Sequence, residues 1–91
     1  MSVGIYFVDS NFTPDQYDQA ITKLEQAGAG APNGRQYHVA LEGDGQISVF
    51  DIWDSAESFE AFGATLMPIL QELGADPGKP VITPVRNEIT G

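Results

Sequence analysis

Two strand-like runs, "RQYHVALE" (35–42) and "QISVFDIW" (46–53), stand on either side of Gly43-Asp44-Gly45. Runs rich in β-branched and aromatic residues around a short glycine-containing loop form an antiparallel hairpin. The spacing predicts a three-residue loop with Glu42 opposite Gln46. Tyr37 then faces Asp51, His38 faces Phe50, and Arg35 faces Trp53. In that register Arg35, Tyr37, Asp51 and Trp53 share one face of the hairpin, while His38, Phe50 and Ile52 share the other.

A helix is written on each side of this hairpin. In "NFTPDQYDQAITKLEQAG" Thr13 is the expected N-cap, Pro14 sits at N1, and Gln16 at N3 completes a capping box. Phe12 is placed to pack on Tyr17 as a hydrophobic staple. Tyr17, Ala20, Ile21, Leu24 and Ala27 form one apolar stripe, and Gly28 is the expected stop. "SAESFEAFGATLMPILQELG" (55–74) is the second helix, capped by Asp54 or Ser55 and ended by Gly74. Phe59, Phe62, Leu66 and Leu73 recur at helical spacing. Pro68 inside the pattern predicts a kink or a break.

Two further strands complete the order. "VGIYFV" (3–8) reads as a strand buried on both faces. "VITPVRNEI" (81–89) reads as an edge strand, because Pro84 cannot donate to a ladder. Strand, helix, strand, strand, helix, strand is the split βαβ order of a ferredoxin-like α+β fold, with two helices on one face of a four-stranded antiparallel sheet. Apolar residues on both faces of the third strand call for a cover on the second face. A second copy of the chain is the simplest one.

With 91 residues the chain is expected to be one domain, 1–91. The formal charge is −9 with four Lys plus Arg, so no basic cluster exists to bind nucleic acid or an anionic membrane surface. The absence of cysteine excludes disulfides and thiolate chemistry. No apolar run approaches the ~20 residues of a membrane helix. "MSVGIYFVDS" has no basic region before its short apolar run, so a secretory signal is not expected and the cytoplasm is the default compartment.

The segment "VFDIWDSAESFEAF", within this element order and this length, resembles the dimeric α+β barrel group that contains antibiotic-biosynthesis monooxygenase-like proteins. The resemblance implies a homodimer whose two sheets face each other as a barrel. Each subunit would then hold a pocket between helices and sheet. Some members of the group hydroxylate polycyclic aromatics with oxygen and no cofactor, and others degrade haem. Members often carry a histidine on the second helix after the "EAF"-like segment, where this chain has Gly63. The haem-degrading branch resembles an Asn, Trp and His triad, of which only Trp53 has a counterpart here.

The candidate site follows from these readings. His38, the only histidine, can act as a general base near neutral pH, or be a hydrogen-bonded structural residue. Trp53 can stack on an aromatic substrate, or plug the core where strand becomes helix. Asp51, mid-strand among apolar neighbours, can take part in catalysis, or be a structural carboxylate whose cross-strand partner is Arg35 or Tyr37. Tyr6 and Phe7 lie on opposite faces of the first strand, and one of them is expected to line the pocket. Tyr37 and Phe62 are further expected substrate contacts, and Arg86 or Asn87 are expected to orient a carbonyl or enolate oxygen. No spacing of residues forms a metal site or a phosphate loop. The expected function is a monooxygenase without cofactor or metal, acting on a small aromatic or polyketide-like ligand. The alternatives are a non-enzymatic small-molecule-binding dimer and an isomerase or cyclase on an enolisable ligand.

Overall fold

A computed structural model describes residues Met1–Gly91. The elements are β1 (Val3–Val8), α1 (Pro14–Gln26), β2 (Arg35–Gly43), β3 (Gln46–Trp53), α2 (Ala56–Leu73) and β4 (Lys79–Pro84). The sheet order is β2-β3-β1-β4, and every neighbouring pair is antiparallel. This is the expected βαββαβ arrangement, with α1 and α2 side by side on one face.

The helix ends follow the sequence closely. The Thr13 hydroxyl accepts from the Gln16 N–H, and the Gln16 side chain accepts from the Thr13 N–H, closing the capping box. Phe12 meets Tyr17 edge-on with ring centroids 5.9 Å apart, so the staple forms and fixes the entry angle of α1. Ser55, not Asp54, caps α2 by accepting from the Ser58 N–H. Gly74 ends α2 at φ 66°.

Four expectations are corrected. First, α2 runs unbroken through Pro68. Pro68 and Ala64, whose carbonyl loses its partner, both lie on the exposed side, where water can satisfy the freed oxygen. Second, β1 is not buried throughout on both faces: Ile5 is fully buried on the helix side, while on the other side Gly4 is buried but Tyr6 and Val8 are exposed. Third, the last strand begins at Lys79 and stops at Pro84, so Arg86 and Asn87 lie beyond it. It is an edge strand, as expected.

The fourth correction matters most. The hairpin loop has two residues, not three. Asp44 and Gly45 have φ 53° and 74°, both in the left-handed region, as a type I′ turn requires. Gly43 therefore joins the ladder opposite Gln46. The register slides by one residue, which exchanges the faces of all β2 side chains along the regular ladder. His38 now lies opposite Asp51, and Tyr37 lies opposite Ile52. An irregularity between Arg35 and Tyr37 restores the pairing of Arg35 with Trp53. Arg35 starts β2 directly after Gly34, whose φ of 91° and tight approach to Asp54 and Ser58 leave no room for a side chain.

The core lies between the helices and the inner sheet face. One cluster is Ile5, Leu24, Trp53 and Phe62, and a second is Phe12, Ala20, Ile47 and Leu70. The outer face has no helix over it, and only Ile52, 7% exposed and bordered by residues 88–91, is buried among its large apolar side chains. Tyr6, Tyr37, Leu41 and Phe50 are 42%, 48%, 61% and 37% exposed there. No helix is long and apolar enough to cross a membrane.

Candidate functional site

A chain of four hydrogen-bonded side chains runs from the inner face of the hairpin to α1. Trp53 ends β3 fully buried, with its ring against Phe59 at 5.7 Å and Phe62 at 5.4 Å between centroids. Its Nε1–H donates to Asp51 Oδ2 at 3.2 Å. The other carboxylate oxygen, Oδ1, is 2.6 Å from His38 Nδ1. His38 Nε2 is 2.7 Å from the Tyr17 hydroxyl on α1, with the two ring planes within 2° of parallel. Asp51 is 4% exposed, and both of its oxygens are occupied by donors from buried or half-buried partners.

Each bond sets the next. A carboxylate takes donors only, so Asp51 holds the His38 ring with its proton on Nδ1. In the neutral ring Nε2 then keeps its lone pair and accepts from the Tyr17 hydroxyl. If the ring takes a second proton, the bond reverses and the tyrosine oxygen accepts. Burial raises the Tyr17 pKa above the ordinary value of about 10. The Arg35 guanidinium pulls it down, while Asp51 and Asp18 add to the rise. Tyr17 therefore stands as a protonated phenol at neutral pH.

These groups border a cavity of about 60 Å³ between the helices and the sheet. His38, Asp51, Tyr17 and Arg35 contribute its polar wall, and Phe7, Phe59, Phe62 and Leu66 are among its apolar lining. Arg35 Nη2 donates to the Gly30 carbonyl at 3.0 Å, and no carboxylate pairs with it. It is thus a cation without an anionic partner at the edge of an apolar space. Trp53 does not line the cavity; it lies behind Asp51. No group of three or more His, Cys, Asp or Glu side chains converges anywhere in the chain.

The sequence-derived site residues separate into two sets. His38, Asp51, Trp53 and Phe62 come together on the inner side. Tyr6 and Tyr37 point to the outer face, where Tyr37 meets Phe50 edge-on at 6.5 Å. Arg86 and Asn87 border an open groove on that same face, together with Tyr6, Phe50 and Ile52. The predicted Asp51 contacts to Arg35 or Tyr37 do not form, because the two-residue turn puts His38 across from Asp51 instead. Two polar cavity residues, Tyr17 and Arg35, are not among the site residues expected from the sequence. Tyr17 was read as packing, although a phenol on an apolar stripe brings a polar tip into the core. Arg35 was read only as a partner for Asp51.

No protein-family model matches the chain, and no curated protein matches it in sequence. Solved structures do match in fold. SnoaB, a cofactor-independent oxygenase from Streptomyces nogalater, is 14% identical, with the match covering 99% of this chain and 95% of that one at a TM-score of 0.61. A structure described as a "putative Antibiotic biosynthesis monooxygenase" from Chloroflexus aurantiacus J-10-fl is 22% identical over 100% of both chains, at a TM-score of 0.62. At these identities the likeness is one of fold. It is the fold of the group that "VFDIWDSAESFEAF" resembles.

Proposed function

We propose that the chain is a cofactor-independent oxygenase acting on a small, acidic, electron-rich aromatic or polyketide-like molecule. The observation that carries this reading is the 2.6 Å Asp51–His38 contact on the wall of an apolar cavity. A carboxylate-held imidazole is a general base suited to neutral pH. The fold shared with SnoaB adds weight to oxygen as the second substrate.

The chemistry balances without a cofactor. A ring methylene flanked by activating groups loses a proton to the Asp51–His38 system. The carbanion passes one electron to dioxygen, and the resulting radical and superoxide combine to a peroxide anion. That anion takes up a proton. The second methylene proton and hydroxide then leave together as water, and a carbonyl remains. The net change is a methylene plus dioxygen giving a carbonyl plus water. Arg35 is the group placed to offset the carbanion charge. Arg86 and Asn87, on the outer face, are not.

A cavity of about 60 Å³ is well below the roughly 300 Å³ or more of ordinary ligand pockets. Binding a ring therefore requires half-buried lining residues such as Phe7, Phe59 and Leu66 to swing aside. The small cavity is also the observation that favours a non-enzymatic binder. The Tyr17 hydroxyl favours an isomerase or cyclase, because it offers a proton to return to carbon.

Oxygen uptake with a simple anthrone and no added cofactor tests the first reading. The expected rate exceeds the autoxidation blank and falls about a hundredfold or more in His38→Ala. Uptake equal to the blank would contradict it.

We also propose that the outer face pairs with a second copy of the chain. The support is the run of exposed Tyr6, Tyr37, Leu41 and Phe50 on one side of the sheet. Sedimentation equilibrium is expected to give twice the chain mass, and Phe50→Arg is expected to give a folded monomer. A wild-type monomer at all accessible concentrations would rule the pairing out.

A further inference from the structure

The His38 ring has no free nitrogen. Nδ1 is held by Asp51 at 2.6 Å, and Nε2 is covered by the Tyr17 hydroxyl at 2.7 Å. A substrate in the cavity can reach this base only by displacing Tyr17 or by working through it. The structure resists displacement. Tyr17 sits in the first turns of α1, whose start is fixed by the Thr13–Gln16 capping box and by Pro14. The edge contact with Phe12 at 5.9 Å holds its ring from the other side. Tyr17 itself lines the cavity.

We propose that Tyr17 Oη, rather than His38 Nε2, is the atom that takes the proton from the substrate, and that His38 drains Tyr17 in the same event. The inference rests on the proton-abstracting role given to this site above and moves the contact with substrate from the histidine to the tyrosine.

The transfer is balanced. The substrate C–H bond breaks and a new O–H bond forms on Tyr17. The original Tyr17 O–H bond breaks and a new N–H bond forms on His38 Nε2. Tyr17 ends as it began, a neutral phenol. The positive charge rests on His38 against the Asp51 carboxylate, and the negative charge rests on the substrate carbon within the field of Arg35. No free phenolate is needed, which suits a phenol whose burial disfavours ionisation. Trp53 Nε1–H, on Asp51 Oδ2, keeps the carboxylate aligned with the ring. The reverse transfer returns a proton to carbon from the same oxygen, so one device serves an oxygenase or an isomerase.

The test separates proton abstraction from oxygen chemistry. Anthrone is held in deuterated buffer without oxygen, and methylene deuterium uptake is followed by NMR for the wild type, Tyr17→Phe, His38→Ala and the double variant. Each single variant is expected to lose about a hundredfold or more in catalysed exchange, with the double variant no slower than either single one. A fluorotyrosine at position 17, which makes the phenol more acidic with almost no change in shape, is expected to shift the pH profile of exchange. Catalysed exchange without oxygen uptake in air would end the oxygenase reading and leave the relay standing. Exchange in Tyr17→Phe at or above the wild-type rate, with His38→Ala inactive, would overturn the relay and make His38 the direct base. A fluorotyrosine profile identical to the wild type would also overturn it, as would the absence of any exchange by the wild type.

Discussion

Changing Asp51 to asparagine is expected to cut catalysed proton abstraction by about a hundredfold to ten-thousandfold. The carboxylate accepts two N–H bonds, one from His38 and one from Trp53. Asparagine has one acceptor oxygen. If that oxygen stays with Trp53, the amide nitrogen faces His38 and drives the ring proton from Nδ1 to Nε2. The lone pair that meets Tyr17 is then lost, although every heavy atom stays in place. If the oxygen turns to His38 instead, the buried indole N–H faces a donor and loses its partner. Either way a buried donor or acceptor is left poorly satisfied, at a cost of about 1–3 kcal/mol in stability. Isotope exchange measures the first effect, and urea unfolding measures the second. Wild-type exchange in a folded Asp51→Asn protein would show that the carboxylate has no part in the chemistry.

The second large effect is on the fold. Trp53→Ala is expected to destabilise the chain by about 3–5 kcal/mol. Trp53 is fully buried and joins Ile5, Leu24 and Phe62 in one cluster, with Phe59 against its edge. Removing the ring leaves a void and frees Asp51 Oδ2 at once. Domain stabilities are commonly about 5–15 kcal/mol, so the variant is expected to unfold at much lower urea than the wild type. Trp53→Phe keeps most of the packing and loses only the indole N–H. It is expected to be clearly more stable than Trp53→Ala and slower than wild type in exchange. A Trp53→Ala protein within about 1 kcal/mol of wild type would contradict the placement of this ring.

Much of the architecture could be read from local chemistry. Thr13, Pro14 and Gln16 mark the start of α1 because orphan N–H groups need acceptors nearby in sequence, and Gly74 ends α2 for a similarly local reason. The strand order follows from alternating patterns of suitable length. The site was harder to read, because it depends on a single count. A three-residue loop, Gly43-Asp44-Gly45, sets His38 on the face of Phe50 and Ile52, away from Asp51, whereas the positive φ angles of Asp44 and Gly45 make a two-residue turn and bring His38 to Asp51. A one-residue slip exchanges the faces of a strand, so a small error in the turn becomes a large error in the site.

Tyr17 was hidden for a different reason. Its position on the apolar stripe of α1 explains its burial fully, and nothing in the sequence states which turn of α1 lies over which residue of β2. The contact with His38 spans 21 positions and depends on the packing of two layers. Likewise Tyr6, Tyr37, Arg86 and Asn87 were grouped with His38 because a sequence does not show which side of the sheet each residue occupies. The structure sets them on the other face.

In the proposed site the only histidine is held between a carboxylate and a phenol, where it can serve as a base. Nitrogen NMR of the imidazole tests it directly, since one histidine gives one pair of ring signals. In the neutral ring the proton is expected on Nδ1, in a short hydrogen bond to Asp51, with an unprotonated Nε2 whose signal moves in Tyr17→Phe. A neutral ring protonated on Nε2, or one averaging freely between the two forms as in water, would contradict this arrangement.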